Sequence, residues 1–159
     1  MDFDFSDDQT QLRDAVAKWV EKSYDFERRK QIAKAGGFDR AVYNELAGLG
    51  LTGLYVDAAH DGLGLGPVDA MVALEELGRG IVLEPLAQAL ITSATIQAYG
   101  GDAVKKDWLP KIASGEKLVV LAHQERKARY RLDVCDAKAT QSGGGYTISG
   151  LKNVVPVGD

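Results

Sequence analysis

L-V-V-L-A-H-Q-E-R-K-A-R-Y-R, residues 118–131, is where the chain changes character. The sequence before it is patterned as helices, and the sequence after it as short strands and turns. The stretch opens with Leu118-Val119-Val120-Leu121-Ala122, whose length and β-branched content predict a buried strand. It then turns charged, with Glu125, Arg126, Lys127, Arg129 and Arg131. A buried strand that runs into a charged loop fixes functional groups at a surface. The competing reading is a plain exit from the core into solvent.

Downstream, residues 133–140 alternate partly and predict a strand. Ser142-Gly143-Gly144-Gly145 is a turn, residues 146–149 a short strand, and residues 152–157 a further strand, with Pro156 at an edge or a bulge. So few strands cannot bury both faces or protect their edges. The sequence is therefore expected to be the N-terminal part of a longer design, or to be completed by another chain.

Upstream, Asp102 is expected to cap a helix through Val104 and Trp108, which Pro110 kinks or restarts before Ser114-Gly115. Before it, Glu84-Pro85 opens a helix from Leu86 to Tyr99 that is apolar almost all round, predicting a heavily buried element. A helix from Pro67 to Leu77 ends at Gly78 or Gly80, and its Glu75 and Arg79 are spaced for an i,i+4 pair. The glycines at 62, 64 and 66 invite a phosphate-binding reading, but Pro67 stands where a third fingerprint glycine would, and no Lys-Ser or Lys-Thr pair follows. A tight turn with Pro67 at the first helical position is the better reading. His60 has no Cys or His at ligand spacing, so no metal site is expected.

Further back, residues 51–56 are short, apolar and expected to be extended. Asp39 caps a helix whose Val42, Tyr43, Leu46 and Leu49 face one way, and Gly50 suits its left-handed end. Gly36-Gly37 breaks the chain, and the charged run 27–30 obscures any period. Ser6-x-x-Gln9 is a capping box, followed by a stripe of Leu12, Val16, Trp19, Val20 and Ser23.

Composition narrows the classes. The 45% hydrophobic and 26% charged residues in 159 are those expected of a soluble globular protein, cytoplasmic by default, and helical patterns followed by strand patterns predict the α+β class. A net charge of -4 makes nucleic acid a poor partner, and the apolar runs are too short for membrane insertion. The single cysteine, Cys135, forms no intramolecular disulfide. The expected boundary divides a helical domain, residues 1–115, from the beginning of an antiparallel β domain, residues 116–159.

The order of landmarks resembles the acyl-CoA dehydrogenase family over essentially the whole chain. The matching elements are Phe3-x-Phe5-Ser6-x-x-Gln9-x-x-Leu12-Arg13, Gly37-Phe38, and Glu45-Leu46-x-x-Leu49-Gly50-Leu51-x-Gly53. Asp61-Gly62-Leu63-Gly64-Leu65 and Glu75-Glu76-Leu77-Gly78-Arg79 follow. Then come Trp108-Leu109-Pro110-Lys111-x-Ala113-Ser114-Gly115-Glu116-Lys117 and Gly145-Tyr146-x-Ile148-x-Gly150-x-Lys152. The resemblance implies a helical N-terminal domain, a middle β domain and a C-terminal four-helix domain, of which this chain holds the first and the opening of the second.

It also implies a flavin enzyme. A base takes a proton α to a thioester carbonyl while the β hydrogen leaves as hydride to FAD. The family's base is a carboxylate of the C-terminal domain, so no catalytic residue is nominated here. Glu75, Glu76, Glu84, Glu116 and Glu125 are better explained as caps, ion pairs or solvated charges. Where the family has T-E-P-x-x-G-S-D, this chain runs from Gln124 to Arg131 and only Glu125 matches. Where the family has W-I-T, it has Val154, Val155 and Pro156. The implied cofactor-binding positions are His123, Gln124, Arg129, Tyr130, Val154 and Pro156, and the implied substrate-binding positions are Tyr130 and Arg131. The altered loop is similar to the small-subunit, pimeloyl-CoA dehydrogenase variety. Implied partners are an acyl-CoA substrate, related subunits in a homo- or hetero-oligomer, and an electron-transfer acceptor. Two function classes stand: a FAD-binding dehydrogenase subunit, and a non-catalytic partner of a heteromeric acyl-CoA dehydrogenase.

Overall fold

A computed structural model describes residues 4–129 and 131–157. It divides into two compact units, Met1–Val119 and Val120–Asp159. The class is α+β: six α-helices and a two-stranded antiparallel sheet form among the described residues.

In the first unit, α1 (Asp7–Ser23) starts where expected. Ser6 and Gln9 exchange backbone and side-chain hydrogen bonds in the capping box. Val16 is buried, and Leu12, Trp19 and Val20 pack with it against the core. The charged run 27–30, which shows no apolar period, is part of α2 (Phe26–Lys34), capped by Asp25, which accepts from the Arg28 N–H at 2.8 Å. Only Ile32 of α2 is buried, so no apolar stripe announces the helix. Polar contacts hold it instead. Arg28 meets Glu45 at 2.6 Å, and Glu45 also accepts from Trp19 Nε1 at 3.0 Å, tying α1 and α2 to α3 (Arg40–Gly48). The Arg28 guanidinium, with help from Trp19, holds the Glu45 carboxyl below the usual carboxylate range.

Residues 51–56 are buried but not extended, which corrects the expectation. After Gly50, left-handed at φ 79°, Leu51–Gly53 forms a 3-10 turn. The returning loop satisfies its backbone: the N–H groups of Leu63, Gly64 and Leu65 donate to the carbonyls of Gly53, Val56 and Leu54 at 3.0, 2.7 and 2.7 Å. Gly62 must be glycine here, because the Val56 carbonyl fills the space a Cβ would take. An apolar hexapeptide does not by itself distinguish a strand from a buried turn.

Helix α4 (Pro67–Arg79) carries Pro67 at its start, and Asp69 accepts from the Gly66 N–H at 2.9 Å. A carboxylate of the chain itself thus occupies the place a phosphate would need. The Glu75–Arg79 pair forms at 3.3 Å. Helix α5 (Leu86–Tyr99) is less buried than its composition predicts: Leu86, Ala89, Leu90, Thr92 and Ser93 are buried, while Ile91 and Tyr99 are 47% and 87% exposed. Helix α6 (Asp102–Ala113) has Gly101, not Asp102, at its N-cap and runs through Pro110 without stopping. The core joins Val16, Leu46, Leu51, Leu54, Ala70, Ala73, Leu77, Leu86 and Leu90. Thr52 fastens the end of α6 through a buried bond to the Ala113 carbonyl at 2.7 Å.

In the second unit, β1 (Lys138–Ser142) pairs with β2 (Gly145–Ser149), with Gln141 opposite Tyr146 and Ala139 opposite Ile148. Both strands are exposed along their length. The strand expected at 118–122 is absent, as is the one at 152–157, so Pro156 is not a strand edge. Extended conformation becomes a strand only through a paired neighbour, and neither segment has one among the described residues. Of residues 133–140, only the last three enter β1.

Candidate functional site

The second unit is organised around Glu125, which is only 6% exposed. Its Oε1 accepts from Lys152 Nζ at 2.7 Å and from the Ala137 N–H at 2.9 Å, and its Oε2 accepts from the Asp136 N–H. The Cys135 thiol lies 3.5 Å from Oε1. Lys152 first, and then the two backbone N–H groups, hold the Glu125 carboxyl down to about 2. Glu125 in turn raises the Lys152 ammonium. Lys152 also donates to the His123 carbonyl at 3.2 Å, and the Asn153 N–H donates to the Gln124 carbonyl at 3.0 Å. One ion pair and two backbone contacts therefore staple residues 123–125 to residues 152–153. A carboxylate with this many charge-assisted partners is fixed in place.

Beside the staple lies a cleft of about 410 Å³ lined by Gln124, Glu125, Arg126, Arg129, Asn153 and Val154. Arg129 and Val154, on opposite segments, both have left-handed backbone at φ 52°. That conformation is strained for a β-branched residue and persists only where neighbours impose it. Asn153 Oδ1 is buried and accepts from no donor among the described residues.

Of the positions implied by the resemblance, Gln124, Arg129 and Val154 come together on this cleft. His123 meets the staple through its carbonyl. Arg131 turns away to Asp133, at 2.7 and 3.2 Å. Pro156 sits in an exposed turn after the cleft, and Tyr130 lies outside the described residues. Arg126, legible in the sequence only as one of a cluster of basic residues, also lines the cleft, and sequence reasoning missed Asn153 and the part played by Lys152. The Gly150-x-Lys152 spacing was the one signal for the last. Among the described residues, no group of three or more His, Cys, Asp or Glu side chains could hold a metal ion, and no helix is long and apolar enough to cross a membrane.

Residues 6–116 match the family model described as acyl-CoA dehydrogenase, N-terminal domain. The chain is 30% identical over 166 aligned positions to a benzylmalonyl-CoA dehydrogenase of Aromatoleum aromaticum, covering 100% of this chain and 44% of that one. It is 28% identical over 152 positions to a mitochondrial isovaleryl-CoA dehydrogenase of Pongo abelii, covering 92% and 36%. Among solved structures, a variant of the Tcur3481-Tcur3483 steroid ACAD aligns with a TM-score of 0.84 at 28% identity, over 94% of this chain and 41% of that one. The chain thus spans less than half the length of these relatives.

Proposed function

Because the chain belongs to the acyl-CoA dehydrogenase family, we propose that it takes part in FAD-dependent oxidation of an acyl-CoA thioester at its α,β carbons. Relatives named for isovaleryl-CoA and benzylmalonyl-CoA support a CoA thioester as substrate. In this reading residues 1–115 form the family's helical domain and residues 116–159 open its β domain.

The observation that carries the proposal is the stapled cleft and its orphaned acceptor. An isoalloxazine ring presents an imide N–H between two carbonyl oxygens. Asn153 Oδ1, buried without a donor, suits the N–H, and the Gln124 amide beside it suits a carbonyl. These residues fit the flavin edge. Bound FAD supplies the acceptor for the hydride that leaves the β carbon. This chain's own residues bind and orient. Gln124 and Asn153 fix the ring edge, Val154 offers it an aliphatic face, and the Glu125–Lys152 pair keeps the two segments at constant separation. No side chain here is assigned the α proton.

A second reading, a non-catalytic partner subunit, is favoured by the same loop. Val154 gives no ring for stacking, and Pro156 gives neither hydroxyl nor N–H. The two readings separate on flavin content. The isolated chain is expected to purify colourless, and co-expression with a related subunit or the remaining domains to give yellow protein. A partner or remainder that holds all the flavin alone would establish the second reading. A complex that is colourless throughout would refute both.

A further inference from the structure

We infer that Arg126 and Arg129 form an oxyanion site, receiving a carboxylate on the acyl group or a phosphate of the nucleotide end of the ligand. The inference rests on the acyl-CoA reading above but needs only this chain. Five cations and three carboxylates crowd this part of the second unit, and their pairing is unequal. Lys152 is taken by Glu125 at 2.7 Å, Lys127 by Asp136 at 3.2 Å and Arg131 by Asp133 at 2.7 Å. Arg126 and Arg129 have no carboxylate among the described residues, and both line the cleft. The Glu125 carboxylate on the same wall is neutralised by Lys152, so the lining carries an excess of two positive charges.

Guanidinium groups offer a planar fork that matches a carboxylate or phosphate through two parallel bonds. A cleft of about 410 Å³ has room for either. The backbone argues in the same direction. Arg129 sits at φ 52°, where glycine or asparagine would be easier, so an arginine there is placed against the local preference.

The test titrates the full chain with three probes: inorganic diphosphate, glutarate, and glutaryl-CoA beside butyryl-CoA. Arginine Nε resonances report contact even at weak affinity. Arg126 and Arg129 signals are expected to shift, and those of Arg131 to stay. The variant R126Q/R129N, with asparagine chosen because it tolerates the left-handed backbone, is expected to bind roughly tenfold more weakly for each guanidinium lost. The loss should shrink at high salt. R126K/R129K, which keeps charge but not the fork, should fall between. A response to diphosphate, with the two thioesters equal, assigns the site to the nucleotide end. A response to glutarate, with glutaryl-CoA preferred, assigns it to the acyl end. If no probe moves either arginine, or the double variant binds as the parent does with unchanged circular dichroism, the inference is overturned. Flavin content of the complex is read separately and decides only the flavin proposal.

Discussion

Replacing Tyr43 with phenylalanine and Thr52 with valine should move stability in opposite directions, although both remove one oxygen from a fully buried residue. The Tyr43 hydroxyl is buried without a partner among the described residues, and burial pushes the phenol up to about 12 against the pull of Arg40. A buried polar group left unpaired destabilises by about 1–3 kcal/mol in proteins. Tyr43→Phe removes that penalty and the ring keeps its packing, so a gain of about 1 kcal/mol is expected. At this chain length that is about 3 °C in Tm. The Thr52 hydroxyl instead donates to the Ala113 carbonyl at 2.7 Å. Thr52→Val loses that bond and leaves the carbonyl buried and unpaired, so a loss of about 1–3 kcal/mol is expected. Urea denaturation followed by helical circular dichroism, with both variants on one m-value, measures the pair. A destabilised Tyr43→Phe, or a neutral Thr52→Val, would refute the assignment of the two hydroxyls.

Other outcomes are equally specific. Leu46→Ala and Leu54→Ala, both fully buried, should each destabilise by about 2–5 kcal/mol in the same assay. Burial raises the Glu84 carboxyl, so its stabilising contribution is full below the ordinary glutamate value and lost as pH rises through the folded value. Glu84→Gln should therefore flatten the fall in stability between acidic and neutral pH, and parallel pH curves would count against it. Glu125 is shifted the other way, so its contribution persists above the ordinary carboxylate range and disappears only as pH falls towards about 2. Lys152→Met should speed hydrogen exchange at Asp136, Ala137 and Asn153, the amides tied to the staple, while leaving α1–α6 unchanged.

The helices were legible because their signals are local. Ser6 and Gln9 lie three residues apart, and Gly50 and Pro67 mark ends by their own backbone preferences. Helix α2 was hidden because it is held by Arg28 and Glu45, a pair across 17 residues, rather than by an apolar stripe. The run 118–122 was misread because β-branched composition describes a residue's fitness for a sheet, not the presence of a neighbour to pair with. The site was legible in part for the same reason. Gln124, Arg129 and Val154 stand out as departures from a family pattern. Lys152 becomes informative only when folding brings it to Glu125, 27 residues away. No period or motif encodes that distance.

That span also sets a timetable. During synthesis at about 5–20 residues per second, the Gln124 wall of the cleft exists for roughly 1.5–6 s before Asn153 and Val154 are added opposite it. The first unit is complete by residue 119 and draws its core from contacts already made. On the ribosome, then, the helical unit is able to settle while the Glu125 carboxylate still waits for its lysine. Until that lysine arrives the Glu125 carboxylate has the Asp136 and Ala137 N–H groups to answer it but lacks its counter-charge. The cleft is among the last parts of the described molecule to come into being, and a nascent chain arrested before Lys152 would carry the helical unit without it.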